Sequence, residues 1–77
     1  MLHVLVISHA GVLFEGTAHQ VIVPGEQGVF EIQPFHRPVV SRLLPGAVIV
    51  DGKTLAIRRG VVQTARNAVT AIVEGVT

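Results

Sequence analysis

Cysteine, tryptophan and tyrosine are absent from the 77 residues, and three phenylalanines supply all the aromatic bulk. Without cysteine there is no disulfide, no thiolate nucleophile and no Cys/His zinc spacing, so the usual supports of very small domains are excluded; the composition fits a reducing compartment. Charge is also scarce, at 14% of residues against about 25% in ordinary globular proteins. A short chain exposes proportionally more surface and normally carries more charge, so the deficit predicts apolar area left for a partner or for self-association. The net charge of +1 is too small to draw the chain to nucleic acid or anionic lipid. No run reaches the roughly 18 apolar residues of a membrane span, and the opening MLHVLVIS lacks the basic start and cleavage site of a signal peptide. One soluble, unexported domain over residues 1–77 is the expectation.

What the chain does have is valine, interrupted every several residues by glycine or proline, a pattern for short strands and not for helices. Val4 to Ile7 forms a first apolar run, His9, Ala10 and Gly11 turn it, and Val12 to Phe14 follows. A strand is predicted from Thr17 to Val23, where apolar and polar positions alternate with period two. Pro24 and Gly25 stop it, and Gly28 precedes the run Val29 to Ile32. Pro34, Pro38 and Pro45 confine the next segment to edge or loop. Val48 to Val50, Asp51-Gly52 and Leu55 to Ile57 predict a tight hairpin, because both turn positions tolerate positive φ. Val61 to Ala65, a turn at Arg66-Asn67, and Val69 to Val73 make a second. Seven to ten short strands at this spacing describe an all-β sandwich or small barrel.

Catalytic constellations are missing. His3, His9, His19 and His36 match no ligand spacing, and the acids Glu15, Glu26, Glu31, Asp51 and Glu74 are dispersed, with no pair set for acid/base work. Ser8 and Ser41 lack a nucleophile elbow. Gly25-Glu26-Gln27-Gly28 has the outline of a GxxG backbone clamp, but its flanks read as strands and Glu26 would repel phosphate. These residues predict no enzyme, no metal and no cofactor. Lys53, the sole lysine, sits beside the Asp51-Gly52 turn, which raises an alternative: a biotin- or lipoyl-type carrier domain modified there, or else a generic protein-interaction sandwich.

Ser8, Val12-Leu13-Phe14-Glu15-Gly16, Val23-Pro24-Gly25-Glu26-Gln27-Gly28, Ile32 to Val40 and Leu44-Pro45-Gly46 resemble, in order and spacing, the N-terminal domain of the epsilon subunit of F-type ATP synthases. Ile57 to Val62, Asn67 and Val69 to Val73 continue the likeness over nearly the whole chain. The resemblance implies a β-sandwich of two packed, mainly antiparallel sheets, about ten strands in all. It also implies a non-catalytic rotor subunit of the central stalk, binding the gamma subunit and seated on the c ring, cytoplasmic and peripheral to the inner (plasma) membrane. By position, Ser8, His36 and Ser41 fall where the family meets gamma, and Glu26, Gln27, Gly28, Val29 and Phe30 where it faces the c ring.

The chain departs from the family pattern at Val29, commonly an acid, and at Glu31, Phe35 and Arg59, commonly glycines. Family members continue into a helical hairpin that can inhibit hydrolysis or respond to ATP. The 77 residues hold none of it, so no inhibitory switching and no ATP binding by this chain alone are expected.

Overall fold

The computed structural model describes residues 1–75. They form eight strands and no helix: β1 (Leu2–Ser8), β2 (Gly11–Ala18), β3 (Val21–Gly25), β4 (Gly28–Ile32), β5 (Val39–Leu43), β6 (Gly46–Val50), β7 (Lys53–Ala65) and β8 (Ala68–Gly75). The all-β expectation holds, with fewer and longer strands than the resemblance implied. The difference lies mainly in β7. Its 13 residues cover what reads in sequence as two strands, Leu55 to Ile57 and Val61 to Ala65, because the ladder to β8 slips by one residue between Ile57 and Arg59 and does not stop. Arg58 is the inserted residue, and a bulge of this kind bends a strand while keeping it continuous.

That bend lets one strand serve both layers. Lys53 to Ile57 pair with β6, and Gly60 to Thr64 pair with β5. One layer therefore runs β2-β1-β8-β7-β5, and the other holds β4, β3, β6 and the first part of β7. A single pair, Gly25 opposite Leu43, joins β3 to β5 at the corner. Every pairing is antiparallel except β1 with β8, which places the first strand beside the last.

Both predicted hairpins form. Val50 faces Lys53 across Asp51 and Gly52, which take φ of 46° and 84°, the double left-handed geometry that matches strand twist. Arg66 and Asn67 do the same without glycine, at 52° and 61°. The predicted Thr17–Val23 strand is broken: the chain turns at His19 and Gln20, both of whose N–H groups donate to the Asp51 carboxylate.

Among the described residues the core is fifteen apolar side chains, nine of them valine. β-branched residues are stiff and pack well on a pleated surface, so little side-chain entropy is lost in closing the layers. Phe14, Phe30 and Leu55 seal the margins. Among the described residues Thr64 is the one buried polar residue, and no buried side-chain donor or acceptor lacks a partner.

A candidate interaction cleft between the layers

Because β3 touches β5 at one pair only, the β3–β4 hairpin diverges from β5 and opens a cleft of about 730 Å³. The hairpin tip supplies one wall. Gly25 pairs with Gly28 around the two-residue turn Glu26-Gln27, and Gly28 takes a φ of 125° that a side chain would resist. Gly25 is required for a different reason: a Cβ there would stand 2.6 Å from the Phe30 ring, so the aromatic lies directly on the backbone.

Phe30 in turn carries His36, with ring centroids 6.4 Å apart. The His36 imidazole contacts the Arg37 carbonyl through Nδ1 at 2.8 Å. A carbonyl oxygen can only accept, so Nδ1 holds the proton and Nε2 is the atom left for a partner. The main chain beneath is a β-turn in which the His36 N–H donates to the Gln33 carbonyl at 3.1 Å. Phe35 occupies its second central position at φ 67°, where such a turn asks for glycine or asparagine; holding a bulky side chain there costs about 1–3 kcal/mol. The turn is kept in place by Asn67, whose Oδ1 accepts the Phe35 N–H at 2.6 Å.

The structure gathers Glu26, Gln27, Gly28, Val29, Phe30, His36 and Ser41 along this one cleft. Ser41 turns its hydroxyl back to donate to the Arg42 carbonyl. Ser8 does not line the cleft. It caps the β1–β2 turn, accepting the Ala10 N–H at 3.2 Å. Its neighbour His9 lies on a second depression, which shares Glu26, Arg42 and Val61 with the first. The Arg42–Glu26 pair between the two depressions is long, at 3.9 Å, and exposed on both sides, so it adds little stability.

Residue-type reasoning did not find Val39, Val40 and Val61, which also line the cleft. Val39 is half-buried and shares the parity of buried Leu43 on β5; for Val40 and Val61 the signal was valine at the outward parity of a good strand, where both are exposed. Register shows how far it extends: Val61 faces Ile72, Ile72 faces Ile7 and Ile7 faces Val12. Residues opposite one another share a face, so an apolar row leaves the cleft and crosses four strands on the outside of the layer. This is the uncovered area that the low charge content predicted.

No group of three or more metal-ligating side chains occurs among the described residues. Lys53 Nζ lies 5.7 Å from the Phe14 ring centroid, folded onto the sandwich by a cation–π contact.

Comparison with known proteins gives one answer. The ATP synthase epsilon chain 2 of Burkholderia orbicola is 39% identical over 75 residues, covering 90% of this chain and 49% of that protein. The ATP synthase epsilon chain of a Nitratiruptor species is 36% identical over 75 residues, covering 91% and 58%. The chain thus spans about half the length of these relatives. The fold matches chains in the mitochondrial ATP synthases of Euglena gracilis, with a TM-score of 0.83 at 15% identity over 94% of this chain and 49% of that one, and Tetrahymena thermophila, with 0.78 at 15% identity over 95% and 63%. The model of the ATP synthase delta/epsilon chain β-sandwich domain matches residues 1–77, which displaces the carrier-domain reading of Lys53, and this chain belongs to that family.

Proposed function

We propose that the chain is a non-catalytic rotor subunit of an F-type ATP synthase, binding the gamma subunit and resting on the c ring so that torque passes between ion transport and ATP synthesis. Family membership supports the assembly. The observation that carries the reading is the cleft itself: the hairpin tip at Glu26 to Phe30, His36 and Ser41 converge on one surface continuous with an uncovered valine and isoleucine row. Such a surface suits protein contact, since it is apolar, built on strands and edged by a few polar groups. Ser8 stands apart from the cleft and belongs to the gamma contact only if that partner reaches the β1–β2 turn.

A cytoplasmic position against the inner face of the membrane follows from this assignment. No helix of the described residues is long and apolar enough to cross a bilayer.

The test is reconstitution with the gamma subunit and c ring of the same organism. The chain should be retained by gamma in a pull-down, and His36→Ala should weaken a calorimetric titration. No retention of the wild-type chain overturns the assignment, whereas undiminished affinity of the variant removes only His36.

A further inference from the structure

Among the large apolar side chains that the described residues leave in solvent, Phe35 is the most exposed, at 90%. Its backbone sits at φ 67°, in the turn closed by His36 and Gln33. A bulky aromatic is disfavoured here twice over, by the left-handed backbone and by water. Nor does the sandwich reward it, because Phe14, Phe30 and Leu55 pack on the core margins and Phe35 does not.

The turn is nevertheless held firmly. Pro34 sits at its first central position, where proline is preset for the turn, and Pro38 stiffens the exit. Asn67 grips the Phe35 N–H at 2.6 Å, and Asn67 is itself fixed by its hairpin and by the His3 N–H on its carbonyl at 2.8 Å. An exposed ring on a stiff support is the form of a binding anchor, since little freedom remains to be lost on docking.

We propose that Phe35 is such an anchor, entering an apolar recess of the stalk protein that occupies the His36 side of the cleft, and that it governs which partner this chain accepts. The inference rests on the stalk reading above. His36 follows Phe35 directly and lines the cleft, so a protein seated on the imidazole also meets the ring. The exposed ring specifies the partner's chemistry: a complementary apolar hollow in a folded protein surface.

Phe35→Gly separates anchor from scaffold, because the two roles predict opposite signs. Glycine relieves the turn, so the isolated chain should melt at a higher temperature, while affinity for the gamma subunit of the same organism should fall about tenfold or more by calorimetric titration. Phe35→Leu retains apolar bulk and should give an intermediate affinity. If wild type binds gamma and Phe35→Gly binds equally well, the anchor is wrong and the stalk reading survives. A melting temperature that falls together with affinity overturns it too, by making the ring structural. Loss of self-association in sedimentation with gamma binding intact overturns it in favour of a second copy. No binding by wild type removes the stalk reading and this anchor with it.

Discussion

Gln20 and Asp51 are joined twice across 31 residues of sequence: the Gln20 N–H donates to the Asp51 carboxylate at 3.1 Å, and the Asp51 N–H donates to the Gln20 carbonyl at 3.3 Å. The same carboxylate takes the His19 N–H at 3.0 Å. One side chain in the β6–β7 turn therefore satisfies the backbone of the β2–β3 corner, and the corner exists because the acceptor is there. Asp51→Ala removes the acceptor and also strains the φ of 46°. Charge-assisted bonds of this kind contribute about 1.5–3 kcal/mol, so a loss of that order in denaturant unfolding is expected. Asp51→Asn keeps one acceptor oxygen and tolerates the left-handed backbone, and should lose clearly less.

Gly60 sits against β8 with no room for a side chain. A Cβ there would lie 2.6 Å from the Ile72 carbonyl oxygen and 2.9 Å from a Val73 methyl, and backbone cannot yield as a flexible side chain can. Gly60→Ala should cost about 1–3 kcal/mol in chemical denaturation, the range for overpacking. Gly16→Ala is the control, since its nearest neighbour is the Phe14 ring at an ordinary 3.6 Å; equal losses in the two variants would refute the steric account.

Glu74 contributes a pH dependence of known sign. Its carboxylate accepts from Arg59 at 2.9 Å and lies 3.5 Å from Arg58. The Arg59 hydrogen bond, then its charge, holds the Glu74 pKa below the ordinary carboxylate value, with Arg58 adding less. A group whose pKa is lower folded than unfolded binds more protons when unfolded, so its stabilisation is complete above the ordinary carboxylate value and disappears as pH falls through the folded one. The site is exposed, so the effect is small and weakens with salt. Melting temperatures of wild type and Glu74→Gln should differ most near neutral pH at low ionic strength and converge in acid. A gap that widens on acidification would reverse this assignment.

Local conformational rules made both tight hairpins legible, since Asp51-Gly52 suits paired positive φ and Asn67 tolerates it; Arg66, at 52°, takes a left-handed backbone that its own residue type does not favour. The His19-Gln20 corner was not legible, because Thr17 to Val23 is acceptable strand sequence and the group that breaks it lies more than thirty residues away. The length of β7 escaped for a related reason: Arg58 carries no local mark of a bulge, and only pairing with β8 shows that the strand continues. Of the candidate site, the glycines and His36 were visible as types. Which of them share a wall depends on the splay between β3 and β5, a property of the assembled layers.

The outward valines provide the remaining prediction. Val40, 72% exposed, and Val61, 45% exposed, line the cleft, and neither belongs to the buried core. Threonine is close in shape and equally suited to a strand, so it alters chiefly the polarity of the surface. Val40→Thr and Val61→Thr should each change the stability of the isolated chain by less than about 0.5 kcal/mol. If the cleft is where gamma sits, both should lower its affinity, and the double variant should lower it further. The reverse pattern, a destabilised chain that binds gamma as well as wild type, would place these side chains in the service of folding and move the contact elsewhere on the sandwich.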